Sequence, residues 1–454
     1  MTTPNHLPQP VAKAERIRTI DMIRGVALLG ILLMNIPGFG MHWSNFITIL
    51  KGSRINADYQ TFLVVITFFE GTMRGLFSML FGAGMILFMR NKEDAPGGAT
   101  VSEYYFRRLL WLVGFGLINA FIFLWNGDIL FFYGLCGMLL FPFRNLAPAK
   151  LVVVVLVCLG VGMLKQQASH NDLQDKRVAF LEAKKAEKAH RTLTADQKEA
   201  ISAWQGIEKN YFTFDSAQAK KDIAKMHGSY GSVYRFLIPQ NANIETFLTY
   251  HGSWDILTMM FLGMALFGWG YFSDKCSSGT YALGVLIGYG FGFLVSWTHF
   301  KGLYQDGLNL GAYVDRYRVT HQLLYDLKRM FISTGHAALV ILVFRSRLVP
   351  WLMHALGCVG QMAFTNYLMQ SIICSTFFDG FGLDQYHRLR FYQLYYVVGS
   401  VWLFQLIVSP IWLHYFRFGP FEWLWRSLTY WKLQPMRLAP KVQAPPYEAP
   451  QLAS

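Results

Sequence analysis

Charge is what this sequence has least of. Only 15% of its 454 residues are charged, against 53% hydrophobic and 16% aromatic. Soluble domains carry about 25% charged residues, so a water-exposed globule is excluded and a polytopic membrane protein is favoured. Cysteine is scarce as well. Cys136, Cys158, Cys276, Cys358 and Cys374 lie in or beside apolar runs, and none falls in the long polar insert. Neither a disulfide framework nor a CxxC metal site is indicated, and no metal is expected. A P-loop, a GxSxG elbow, an HExxH pair and a glycine-rich dinucleotide turn are all missing, so any chemistry must come from groups within the membrane. Acid is scarcer than base, giving a net charge of +14. The basic residues sit at the ends of apolar runs, as the positive-inside rule requires, so nucleic acid is not implied. Residues 1–17 are polar and no cleavable signal is expected.

What is present is organised around residues 18–42, RTIDMIRGVALLGILLMNIPGFGMH, which read as a first transmembrane helix. Asp21 and Arg24 stand at one end, Asn35 lies deep inside, and His42 comes just past the far end. At about 100° per residue, Arg24 and Asn35 fall within roughly 20° of each other, with Asp21 about 60° away. Polar groups in hydrocarbon cost several kcal/mol without partners, so this stripe should face protein or a water-filled cavity. It is therefore a functional-site candidate. The plainer alternative is an ion pair anchoring the helix, with Asn35 as helix–helix glue.

The pattern predicts an all-α, polytopic transmembrane helix bundle of about ten spans, at 20–39, 72–89, 106–125, 129–143, 150–165, 255–273, 280–298, 330–345, 358–377 and 393–413. More Lys and Arg flank one side than the other, which predicts that both termini are cytoplasmic. Lys328 and Arg329 are assigned to an outer loop. The expected organisation is spans one to five in 1–165, a small helical periplasmic insert at 166–250, spans six to ten with an interfacial helix in 251–432, and a disordered cytoplasmic tail at 433–454. Residues 59–70 read as an interfacial or re-entrant helix broken near Gly71, with the span starting near Thr72. In the insert, Thr194 and Gln197 form a capping box, and Asp215 caps a helix that stops at Gly228. The insert's charges read as a solvated face, or alternatively as a lid over the outer mouth.

Counting about 1.5 Å per residue places Arg74 and Asn35 roughly 24 and 22 Å from the cytoplasmic ends of their helices, near the depth of His42. Asp128 follows the Asn126-Gly127 turn on the same face. Asn35, His42, Glu70, Arg74 and Asp128 are thus expected to converge at the outer end of one cavity, with Glu70 and Arg74 paired at i,i+4. His251, Asp255, His336, Asn366 and Gln370 are further candidates for the lining, beside Asp21 and Arg24. For His336 the plainer reading is a packed, hydrogen-bonded histidine.

Four stretches carry a resemblance: RTIDMIRGVALLGILLMN, GLFSMLFGAGMILF (75–88), GQMAFTNYLMQS (360–371) and GPFEWLWRSLTYW (419–431). In this order they resemble the YeiB-like family of bacterial inner-membrane proteins, over nearly the whole chain apart from 166–250. That family is grouped with the transmembrane acyltransferase superfamily, alongside heparan-α-glucosaminide N-acetyltransferase. The resemblance implies an inner-membrane location and acyl transfer from cytoplasmic acyl-CoA, acetyl-CoA first, to an acceptor on the far side. It sets the D-x-x-R-G start on Asp21, Arg24 and Gly25, the first-helix asparagine on Asn35 and the following histidine on His42. Where the family's last motif usually has arginine, this chain has Gln361.

As an acyltransferase, His42 would be the base that deprotonates the acceptor and Asn35 would hold the thioester oxyanion. Arg24, Arg107 and Arg108 could take CoA phosphates, although membrane anchoring explains the last two as well. The partners would be membrane lipids and a small-molecule or glycan acceptor, and a homo-oligomer is compatible. The second reading is a transporter or exporter of a small solute, with the polar stripe lining its path. The third is a structural or regulatory subunit that docks through the insert.

Overall fold

The structure is a computed structural model that describes residues 17–90, 98–210 and 216–438. It is an all-α bundle, and among the described residues the sole β feature is an isolated bridge between Phe416 and Arg437. The helices are α1 (Arg18–Gly40), α2 (Ser44–Lys51), α3 (Ala57–Phe68), α4 (Thr72–Arg90), α5 (Gly98–Phe121), α6 (Leu130–Leu140), α7 (Pro148–Lys188), α8 (Ala195–Asn210) and α9 (Ser216–Met226). They continue as α10 (Tyr230–His251), α11 (Ser253–Gly268), α12 (Ser278–Phe300), α13 (Leu310–Arg316), α14 (Leu324–Ser346), α15 (Pro350–Gln361), α16 (Ala363–Phe378), α17 (Phe391–Tyr415) and α18 (Pro420–Tyr430).

Local chemistry sets the boundaries. Pro148, Pro350 and Pro420 open α7, α15 and α18, where the missing N–H would have had no partner anyway. Gly71, at φ +71°, separates α3 from α4 where the sequence predicted the break. Among the described residues six helices are long and apolar enough to cross a membrane. The other expected spans fall on α5, whose first half carries Glu103, Arg107 and Arg108, on the short apolar helices Leu130–Phe143 and Ser253–Gly268, and on 358–377, which Met362 breaks into α15 and α16.

The first helix is central: α4, α14, α15, α16 and α17 all pack on it. Its approach to α15 is set by glycine. A Cβ at Gly25 would collide with the Leu356 carbonyl, and one at Gly360 with the Asp21 carbonyl. The α4–α11 contact repeats the device with Gly82 against Met260 and Gly263 against Met79.

The expected boundary at residue 166 falls within α7. The helix α7 runs unbroken for 41 residues, about 60 Å at 1.5 Å per residue, from the apolar bundle into the polar region. Its distal half packs with α8 and α13 around the buried Trp204, and Arg177 pairs with Asp315 at 2.8 Å. Thr194 and Gln197 form the expected capping box, at 3.1 and 3.3 Å. Asp215 lies outside the described residues. The helices α9 and α10 cover the α5–α6 loop, with Leu124 buried among Met226, Val233, Leu237 and Tyr386. Gly380 N–H donates to Met226 O (2.8 Å) and His227 pairs with Asp384, fastening the insert to the α16–α17 loop. After Tyr430 the chain returns to the end of α17, where Arg417 N–H donates to Met436 O (2.9 Å) and Leu438 N–H donates to Tyr415 O (3.2 Å). Residues 439–454 of the expected tail lie outside the described residues.

Candidate functional site

Two cavities lie at opposite ends of α1, and α16 runs between the same two places. The first, 250 Å³, is lined by Ile20, Asp21 and Arg24 of α1, and by Ala363, Phe364 and Tyr367 of α16. Its body is apolar, with Phe77, Leu80, Phe81, Leu109, Leu112 and Leu130, and three arginines line it: Arg24, Arg108 and Arg426. Asp21 accepts from Arg24 at 3.1 Å. The other acid in the lining, Glu422 of α18, is spoken for: Oε1 accepts from the Phe364 and Thr365 N–H groups at 2.7 and 3.0 Å, capping α16. Arg108 stacks 4.2 Å over Trp425, and its guanidinium donates no hydrogen bond among the described residues. Gln361 also lines this basic cavity.

The second cavity, 190 Å³, begins where α1 ends. Pro37, Phe39, Met41, His42 and Trp43 line it, with Trp125, Asn126, Ser375, Asp379 and Tyr386, and with Asp222, Phe236 and Gln240 from the insert. The insert is thus part of this wall, which meets the lid alternative raised by its sequence. His42 Nδ1 bonds Ser44 Oγ at 2.8 Å. Burial lowers the His42 pKa below the ordinary 6.5, Asp222 opposes this and His387 adds to it, so the ring is neutral at pH 7.

The chain passes from the second cavity to the first over the segment Trp125–Ile129. Trp125 faces the His42 cavity, while Leu130, next in the chain, faces the basic one. Trp125 stacks on Phe39 with centroids 3.8 Å apart. Asp128 accepts from Asn119 Nδ2 (2.8 Å) and Phe131 N–H (2.9 Å), and Tyr367 Oη accepts from Ile129 N–H (3.2 Å). Asn119 Oδ1 is buried without a partner.

The predicted five-residue cluster does not form. His42 lines the second cavity and Asp128 lies in the Trp125–Ile129 segment. Asn35 is half-buried and lines neither cavity. Glu70 and Arg74 do not pair. Gly71 turns the chain between them, so the i,i+4 spacing of a continuous helix is lost. Glu70 instead accepts from Lys328 Nζ (2.7 Å) and Tyr304 Oη (2.6 Å), and Arg74 donates to Asp255 (2.8 Å), which Arg329 also contacts. Lys328 and Arg329, assigned to an outer loop from sequence, are 0% exposed. The reason is that the first turn of α14 sinks into the bundle opposite the α3–α4 break, and Arg329 Nε donates to Gly71 O at 2.9 Å.

Other candidates are placed elsewhere. Asn366 and Gln370 face α17, bonding Ser409 (3.0 Å) and Gln405 (3.0 Å). This polar seam is the glue use of polar residues, not a cavity lining. His336 bonds Tyr289 at 2.8 Å in the α12–α14 contact. The His251 side chain lies outside the described residues. Arg107 lines neither cavity: it donates to Thr429 O at 3.3 Å and lies 5.1 Å from the Trp431 ring. Sequence reasoning missed Arg426, Glu422, Asp379 and Tyr386. The signal for the first two is their place in the amphipathic GPFEWLWRSLTYW stretch, read from sequence as an interfacial helix and a family motif but not as part of the site.

The architecture defines a class: a polytopic helical membrane protein with a cavity at each end of its first helix. Residues 269–432 match a family described as a protein of unknown function (DUF418). Over 446 residues the chain is 29% identical to the uncharacterized protein YxaH of Bacillus subtilis (strain 168), covering 96% of this chain and 99% of that one. It is 29% identical over 424 residues to the uncharacterized protein YeiB of Escherichia coli (strain K12), covering 91% and 96%. A 39.9 kDa protein in the amylase 3′ region of Bacillus acidopullulyticus is 26% identical over 440 residues. These matches support the YeiB-like family on which the four motifs converge. No solved structure matches the chain.

Proposed function

We propose that the protein is a transmembrane acyltransferase of the bacterial inner membrane, with both termini in the cytoplasm. It would take an acyl group from cytoplasmic acyl-CoA and deliver it to an acceptor on the periplasmic side. The observation that carries the reading is the pair of unlike cavities linked by the segment Trp125–Ile129. An apolar chamber with Arg24, Arg108 and Arg426 in its lining suits an acyl-pantetheine arm that ends in phosphates, since guanidinium forks match phosphate geometry. A neutral His42 in the opposite chamber suits a general base.

Ser44 holds His42 Nδ1 from two sides, with Oγ at 2.8 Å and its backbone N–H donating at 3.4 Å. The base role requires the tautomer in which Nδ1–H is donated to Ser44 Oγ, so that the Nε2 lone pair takes the acceptor's proton. The acceptor atom then bonds to the thioester carbonyl carbon, the C–S bond breaks, and the CoA thiolate leaves and is protonated. For the two substrates to meet, Trp125–Ile129 must part. In this proposal Arg108 replaces Arg107 as a phosphate ligand, Arg426 joins it, and Asn35 has no oxyanion role in the closed arrangement.

The same segment would serve a transporter as a gate. The separating experiment is acyl transfer from radiolabelled acetyl-CoA by purified protein in nanodiscs, alongside solute counterflow in liposomes. Transfer or hydrolysis that disappears in His42→Ala, with acetyl-CoA binding retained, is the expected result. Counterflow without any thioester turnover would overturn the enzyme reading.

A further inference from the structure

The two cavities differ in charge, and the His42 cavity has a group that nothing so far uses. Among the described residues its lining holds no lysine or arginine. It holds two carboxyl groups, and one is already balanced: Asp222 accepts from Lys225 at 3.1 Å and from Gln218 at 2.9 Å. The other, Asp379, is 4% exposed and its carboxyl makes no hydrogen bond among the described residues. It follows the last turn of α16, whose Ser375 lines the same cavity. A buried carboxyl with no partner is costly to fold around unless something else completes it. Around it stand aromatic faces: Trp43, Trp125, Tyr386, Phe39 and Phe46. A carboxyl opposite aromatic rings is the arrangement that recognises ammonium groups, through charge and through the ring quadrupole.

We propose that the His42 cavity binds an organic cation, with Asp379 as its counter-charge and the rings of Trp43, Trp125 and Tyr386 as its walls. This deepens the acceptor reading by naming the substrate class, an ammonium-bearing small molecule, and it rests on that reading for its biological meaning only. The binding itself stands without acyl transfer. Burial pushes the Asp379 pKa up to about 8, so an incoming cation also drives its ionisation and releases a proton. The titratable groups facing it are His42, Asp222 and Tyr386, with His387 behind them.

The test is isothermal titration of the full-length protein in nanodiscs with choline, with ethanolamine, and with 3,3-dimethylbutan-1-ol, the uncharged isostere of choline. At least one of the two cations binds, and the neutral isostere binds at least ten times more weakly. Asp379→Asn lowers cation affinity at least tenfold, and so does Trp43→Ala. Trp43 is 51% exposed, so its replacement leaves the core intact. Both variants retain acetyl-CoA binding in the other cavity, which reports that they are folded. Failure of both cations to bind, equal binding of the neutral isostere, or unchanged affinity in Asp379→Asn would each overturn the proposal. Acetyl-CoA turnover with no cation binding would leave the enzyme reading standing and remove this one. Cation binding without turnover would do the reverse.

Discussion

The ends of α1 handle charge in opposite ways. At Asp21 and Arg24 the cavity has three arginines, and both acids in its lining are committed, one to Arg24 and one to the α16 N-terminus. At His42 there is no cation in the described lining, and a carboxyl is left over. One helix therefore joins a chamber suited to an anion with an apolar arm to a chamber suited to a cation. The chain passes from one lining to the other over the five residues Trp125–Ile129. The third polar region, around Glu70, Arg74, Asp255, Asp326, Lys328 and Arg329, teaches the contrast. It has as many acids as bases, they pair as ions with one another, and it belongs to neither chamber. Polar groups that pair internally hold helices together, while those left over in a cavity point to a ligand.

The largest effect is expected from breaking the paired region. Asp255→Asn leaves Arg74 and the wholly buried Arg329 short of their counter-charge, which costs about 3–5 kcal/mol. Tyr133, which lines the basic cavity, donates to the Arg74 carbonyl at 3.1 Å, so the damage reaches that chamber. Yield of monodisperse protein and its melting temperature should fall sharply. Retained stability would show that the network is not structural and would open it as a third site.

A smaller effect sharpens the contrast at the other end. In the unfolded chain Asp379 ionises near its ordinary 3.8, but in the fold it holds its proton up to about 8. The unfolded state therefore binds fewer protons between these values, and native stability falls as pH rises through the window and levels off above it. Asp379→Asn removes this loss. Its melting temperature should exceed that of the parent by an amount that grows from pH 4 to pH 8, on the order of a few °C at the top. His42, whose pKa burial lowers, is common to the parent and the variant and cancels in the difference. An equal difference at pH 5 and pH 8.5 would refute the burial of an unpartnered carboxyl.

Much of the fold was legible in the sequence because its signals are local. Apolar length marked the membrane helices, Gly71 marked the α3–α4 break, and the Thr194–Gln197 box marked the start of α8. The site was legible only in part. Counting along helices gave Arg74 and Asn35 a common depth, but depth says nothing about azimuth, and they face different neighbours. The spacing of Glu70 and Arg74 suggested a pair because the rule assumes a continuous helix, and the positive φ at Gly71 cancels it. Lys328 and Arg329 looked like loop cations because their acids come from the α3–α4 turn and from α11, far away in sequence. Asp379 was invisible for the related reason that its meaning lies in having no partner.

The smallest predicted effect comes from two neighbours that sequence reasoning treated alike. Arg107 and Arg108 sit side by side on α5, and both were candidates for phosphate. A helix turns about 100° per residue, so consecutive side chains cannot share one face. Arg108 points into the basic cavity over Trp425, whereas Arg107 lies at its lip, bonded to the half-exposed surface pair Glu103 and to the α18 carbonyl of Thr429. Arg108→Ala removes a cation from an apolar chamber, where hydrogen bonds to charged groups contribute about 1.5–3 kcal/mol, so acetyl-CoA should bind ~10- to 100-fold more weakly. Arg107→Ala removes a solvent-screened pair of about 0–1 kcal/mol and a contact that seats α18. Affinity for acetyl-CoA should then stay within about twofold and the melting temperature should drop only slightly, by the scale of a surface pair. Titration of the two variants against the parent settles the matter: equal losses would mean that the phosphates sit at the lip and not in the cavity.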